Sequence, residues 1–339
     1  MKILSILGIS TILVSHVAVA QDHSGHDMSM TGHKKMGALV PAKIMGDHVM
    51  MKGKAMLSYA YMDMDMDGYR QGVNSKSIND VFADGYTMAA RDMKMEMHMF
   101  AGMVGITNKV TAMVMLPYVK KTMRMQTAAG ATLTTKSQSV GDIKAFAFKG
   151  MGKYIGGEVV AGVGVSLPTG SIDERDANLM GAIVQLPYRM QTGSGTYDLM
   201  PQVTWQKKGM SSSLGVQAKA VFRTGLNDRG YRLGDEAELS AWYGKSFNDA
   251  LSSTFRVTGQ YNANIRGEDT ALNPAMTPAA DANLHSGTRV NVALGMDYHP
   301  ARLKGWSITG EVELPVYQNL KGPQMGRASG VLLRLRKAF

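Results

Sequence analysis

The 339-residue chain contains no cysteine, so disulfides contribute nothing to its stability. Aromatic residues make up only 7% of it and no long helical periodicity runs through it, which points away from a helical bundle. Beyond residue 20 there is no run of about 18 apolar residues, and that excludes a helical membrane span. Catalytic signatures are also missing. The chain has no Gly-x-Ser-x-Gly, no His-Glu-x-x-His and no phosphate loop, and its Ser, His and Asp residues are scattered, so an enzyme is not expected.

What is present begins with an export signal. Lys2 precedes an apolar stretch from Ile3 to Val14, and Ala18-Val19-Ala20 supplies a small-x-small cleavage site, so residues 1–20 read as a signal peptide. The formal charge of +10 on an exported chain fits basic rims against anionic lipid head groups, with no nucleic acid as partner. Residues 21–51 follow as a polar His/Met-rich segment, expected to be flexible and periplasmic. From residue 52 to 339 the pattern changes to period two.

Arg91 to Met103 is the clearest case: Met93, Met95, Met97 and Met99 alternate with Lys94, Glu96 and His98. Successive strand side chains point to opposite faces, so such a segment separates two environments. Twelve segments of this kind can be counted, each long enough for the 9 to 11 residues a tilted membrane strand needs. The connections between them alternate short and long, which a soluble sandwich has no reason to do. The expected fold is therefore all-β, a transmembrane antiparallel up-and-down barrel of about 12 strands in the bacterial outer membrane.

The last strand sets Val331, Leu333, Leu335 and Phe339 on one face and resembles the signal read by the barrel-assembly machinery, with Lys337 in a slot usually apolar. The stretch VVAGVGVSLPTG at 159–170, with GSGTYDL at 193–199, resembles outer-membrane transporters of the phenol-degradation meta-pathway (MetA-pathway) family. That resemblance implies a porin-like barrel, with aromatic or other hydrophobic cargo by association.

Polarity assigns the faces. Charges facing lipid at mid-depth would cost about 2 to 4 kcal/mol each for Arg or Lys, which turns Lys94, Glu96, Lys144, Lys219, Arg223, Glu236, Glu238, Arg256, Arg289, Asp297, Glu311, Glu313, Arg334 and Arg336 inward. Met93, Met95, Met97, Met99 and Met103 should then face lipid, whereas Met56, Met62, Met113 and Met115 turn inward. MDMDMD at 62–67 reads as a solvated loop, and Gly162, Gly164 and Ser166 as small residues leaving a pore open. The candidate metal ligands are His23, His26, Met28, Met30, His33, Met36, His48, Met50 and Met51, because imidazole suits copper and zinc while thioether selects Cu(I). No cofactor is required, and copper is the one optional ion. Three readings follow: a small-solute channel linked to copper or other soft-metal handling, an uptake channel for aromatic compounds, or a structural barrel without transport.

Overall fold

The computed structural model describes residues 39–339. Eleven strand runs form one closed antiparallel sheet. They are β1 (Ala55–Gly72), β2 (Met88–Thr107), β3 (Val110–Thr127), β4 (Ile143–Tyr154), β5 (Gly157–Leu167) and β6 (Tyr197–Lys208). Then come β7 (Ser212–Thr224), β8 (Glu236–Ser246), β9 (Leu251–Asn262), β10 (Gly287–Tyr298) and β11 (Trp306–Ala338). Each pairs with the next, and β11 pairs back onto β1, so the sheet has no open edge.

β11 supplies two staves. A straight strand of its 33 residues would run on the order of 100 Å, several times the thickness of a bilayer core. Instead Ile308–Leu320 pairs with β10, while Leu320–Ala338 pairs with β1. The Gln318 side chain bonds the backbone of Arg327 in both directions, at 2.9 and 3.0 Å, which closes the hairpin. Twelve staves therefore surround the lumen, as the sequence pattern predicts. The fourth is broken: Thr132–Val140 pairs with the outer half of β3 and β4 with its inner half. At the break, Asp142 accepts from the Gly170 and Ser194 amides at 3.0 and 2.8 Å.

Connections at one end are short, at 108–109, 155–156, 209–211, 247–250 and 299–305. This end also holds the start of β1 and the end of β11, joined by a Phe339 amide bond to the Ala55 carbonyl at 2.9 Å. There Lys337 lies over the Trp306 and Phe339 rings and donates to the Lys304 carbonyl. The opposite end carries the long connections, including α1 (Ile78–Ala83), capped by Ser77 and Asp80.

Outward side chains form an apolar belt that includes Leu57, Val114, Leu116, Val163, Leu239 and Leu294, all exposed. An apolar band of this kind is unfavourable in water and suited to hydrocarbon. The faces follow polarity with one correction. Met93, Met95, Met97, Met99 and Met103 turn into the lumen, and Lys94 and Glu96 point outward. The reason is length. β1, β2 and β3 span 18 to 20 residues, about twice what a bilayer needs. Tyr59, Phe100, His98 and Tyr118 form an aromatic group on the outer face, of the sort that marks a membrane boundary. Above it Asp63 pairs with Lys94 at 2.9 Å, Glu96 with Lys120 at 3.5 Å and Asp92 with Arg124 at 2.6 Å. MDMDMD is likewise strand and not loop, with Met62, Met64 and Met66 lining the lumen.

Residues 39–51, expected within a flexible segment, pack inside the inner mouth. Val40 and Ile44 bury against Trp242, and Met50 packs with Met103, Met113 and Phe148. The Met45 carbonyl accepts from Gln202 and Gln217 at 3.0 and 2.8 Å, and Lys43 pairs with Glu313 at 3.2 Å. The apolar residues of a polar segment thus find a core that the barrel wall provides. Residues 1–38, with the expected signal peptide and most of the His/Met-rich segment, lie outside the described residues.

Candidate functional site: a lumenal chamber

Strand register builds the site. Met66 stands opposite Met93, and Met93 opposite Met123. Met64 faces Met95, and Met62 faces Met97 in the next two rows. Lower down, Met56, Met103 and Met113 form another row of three. Directly opposed residues lie about 4.5–5.5 Å apart at Cβ, so β1 and β2 carry a wall of thioethers that β3 extends at its two ends through Met113, Met115, Met123 and Met125. This wall lines a chamber of about 540 Å³.

The chamber lies between two obstructions. Ala42, Lys43 and Met45 of the inner segment line its inner end. At the outer end the 168–196 connection folds into the barrel, with a one-turn helix at Tyr188–Met190. Met190 buries among Met66, Met93, Met123 and Met125, and Tyr188 meets the Tyr231 ring edge-on at 4.8 Å between centroids. Lys121 holds this cap by donating to the Arg189 carbonyl at 2.8 Å and to that of Gln191.

The inward small residues of β5 do not leave space. A Cβ on Gly162 would lie 2.6 Å from the Phe148 ring and one on Gly164 2.4 Å from the Phe146 ring. The two rings stack at 5.6 Å and fill the lumen there.

Away from the methionine wall the chamber is charged, with eight basic side chains and two acidic ones, Glu236 and Glu238, on its lining. Among the other buried arginines of the lumen Arg334 has only the Ile44 carbonyl and the Met45 sulfur at 3.5 Å, while the rest meet carboxylates. Arg256 meets both Glu311 and Glu313, and Glu313 also binds Arg327 at 2.7 Å. Under the cap the pattern differs. Arg189 and Arg289 both donate to one neutral acceptor, Gln324 Oε1, the second at 3.0 Å. Gln324 is fixed in turn by donating to the Leu284 carbonyl at 2.8 Å. Arg189 Nε lies 3.4 Å from His285 Nδ1. Burial, then the Arg189 charge, push the His285 pKa down to about 3, against the pull of the Ala279 carbonyl, so the ring is neutral. Burial, then Arg327, lowers Arg189 to about 10, still cationic at neutral pH.

Of the residues expected to bind metal, His23, His26, Met28, Met30, His33 and Met36 lie outside the described residues. The other three do not converge on a common point. His48 Nδ1 bonds Asp47 at 3.0 Å, Met50 is buried against the wall, and Met51 is 65% exposed. Among the described residues no group of three His, Cys, Asp or Glu side chains could hold an ion. Arg189, Gln324 and His285 escape sequence reasoning because they sit in or beside connections with no period to read. Arg289 does follow from its strand alternation.

A closed twelve-stave barrel with an apolar exterior and a polar, partly filled lumen defines an outer-membrane β-barrel of the channel type. Residues 79–306, more than half of the chain, match the family described as MetA-pathway of phenol degradation, and the chain belongs to that family. Its fold is similar to that of the COG4313 outer membrane channel from Pseudomonas putida F1, with a TM-score of 0.61 and 11% identity over 88% of this chain and 99% of that one. More distant in shape are the beta domain of the Bordetella autotransporter BrkA (TM-score 0.45, 9% identity, 85% and 100% covered) and the CymD monoaromatic hydrocarbon channel (0.39, 7%, 86% and 89%). No curated protein matches the chain.

Proposed function

We propose that the protein admits small hydrophobic compounds, aromatic ones among them, across the outer membrane. The observation that carries this reading is the methionine wall of the chamber. Thioethers are polarizable and adapt to irregular shapes, and sulfur–aromatic contacts contribute about 0.3–1.5 kcal/mol each. A volume of about 540 Å³ lies in the range of small-molecule sites. Membership in a family named for phenol degradation points the same way. In cells whose own uptake route has been deleted, expressing the protein should raise the initial uptake rate of labelled phenol. Replacing Met95 and Met97 by Glu, which puts two carboxylates on the wall, should return the rate to background while surface expression is unchanged. Uptake indifferent to the protein would favour a structural barrel.

A second reading concerns copper. His23-x-x-His26 with Met28 and Met30 places imidazoles and thioethers in one segment, and residues 39–51 anchor the chain beyond it at the inner mouth. On this reading the segment captures copper on the periplasmic side. Titrating the full-length protein with Cu(I) and Cu(II) should reveal binding that is lost when His23, His26, Met28 and Met30 are replaced by Ala. Equal, feeble binding by both forms removes the metal and leaves the channel standing.

A further inference from the structure

We propose that the chamber's cargo is an amphipathic anion: a small aromatic or aliphatic carboxylate, its head held by Arg189 and Arg289 and its apolar body on the methionine wall. This rests on the channel reading and names the class of compound. The first observation is a charge imbalance at one spot. Arg189 and Arg289 converge on a single amide oxygen, Gln324 Oε1, and pair with no carboxylate among the described residues. Arg289 is only 7% exposed, and its Nε has no hydrogen-bond partner. Two like charges on a neutral acceptor, Arg289 buried and Arg189 half-buried, are costly unless an anion arrives to pair with them.

The second observation is that two arginines meeting at one neutral acceptor occur only here among the described residues. The single unpaired Arg334 faces the Ile44 carbonyl at the inner segment, and other lumenal arginines have carboxylates. Arg223 pairs with Asp198 and Glu236, and Arg256 with Glu311 and Glu313. A barrel that neutralises those arginines internally leaves the pair under the cap open to an external partner. Guanidinium groups match a carboxylate through parallel N–H donors, which a neutral hydroxyl cannot exploit. The third observation is the neighbouring surface: Met66 and Met93 line the same chamber as both arginines. An inorganic anion would use the arginines and waste that wall. A soft metal cation would use the thioethers and be repelled by the arginines.

The test is calorimetric binding to purified full-length protein in detergent micelles, with four probes: benzoate, benzyl alcohol, acetate and inorganic phosphate. Benzoate should bind about tenfold more tightly than benzyl alcohol, which lacks the charge, and than acetate, which lacks the body. Phosphate should bind no better than acetate. Arg289→Gln should erase the preference for benzoate over benzyl alcohol, and Arg289→Lys, which keeps the charge but not the fork, should restore part of it. Retained heat-dependent gel mobility shows that each variant is folded. If Arg289→Gln does not fold, the four probes on the wild-type protein still decide. Benzyl alcohol binding as tightly as benzoate overturns the proposal, and so does phosphate matching benzoate, which would mean a bare anion site. Phenol uptake that persists without any benzoate preference removes this inference alone. Absence of uptake for both removes the channel reading beneath it.

Discussion

At the residue scale, Asp47 and His48 form an ion pair between adjacent residues of the inner segment. The two side chains bond at 3.0 Å within a stretch held to the wall by backbone carbonyls, apolar packing and the Lys43–Glu313 pair. Burial raises the Asp47 pKa, but the His48 charge and hydrogen bond outweigh it and hold the carboxyl well below its ordinary range. The Asp47 charge, then the shared hydrogen bond, raise His48 above 6.5, against burial and nearby cations. A raised imidazole pKa stabilises the folded segment fully below 6.5, and that contribution is lost as pH rises through the raised value. The depressed carboxyl adds stability above 3.8, lost only as pH falls through its lowered value. The segment is therefore held best in mildly acid solution and loosens towards alkaline pH. Hydrogen exchange at residues 39–51, corrected for the intrinsic rate, should be faster at about pH 8.5 than at about pH 5.5. His48→Gln should abolish the difference. Equal protection at both pH values in the wild-type protein would show that the pair does not stabilise the folded segment.

At the scale of elements, the strands were legible because alternation survives any change of partner. β9 and β10 show the same inward and outward sets in sequence and in structure: Arg256 and Thr258 bury while Phe255 and Val257 face out. Assigning faces by charge worked wherever the outward side meets hydrocarbon. It failed on β2, whose outer half stands above the aromatic group, where Lys94 and Glu96 are paired in water at little cost. The usable signal was register: Met62, Met64 and Met66 continue the alternation of β1, and cross-strand neighbours share a face. The 168–196 connection offered no such handle. Its inward fold depends on Lys121, Ser137 and Asp142 bonding to its backbone, residues far away in sequence. Flexibility is expected of residues 39–51 because the 21–51 segment is polar and shows no apolar face of its own, and the Trp242 and Phe148 surfaces that bury its few apolar residues become neighbours only when the barrel closes.

At the scale of the molecule, the chamber has an obstruction at each end, and the two act in series on any solute crossing the barrel. The inner one, residues 39–51, is held by Gln202, Gln217 and the Lys43–Glu313 pair. The outer one, around Tyr188–Met190, is held by Lys121 and the aromatic contact with Tyr231. Resistances in series are dominated by whichever constriction remains. Replacing residues 186–191 alone by a Gly/Ser linker of equal length should therefore change single-channel conductance little, and so should replacing residues 39–51 alone. The combined replacement should raise it by about an order of magnitude, because only then does a continuous water path open. Planar-bilayer recording on variants that keep heat-dependent gel mobility measures this directly. A single replacement that by itself gives the full conductance would mean that the other segment never blocks the path. The chamber would then be a vestibule, open on one side, and solute selection would fall to one constriction alone.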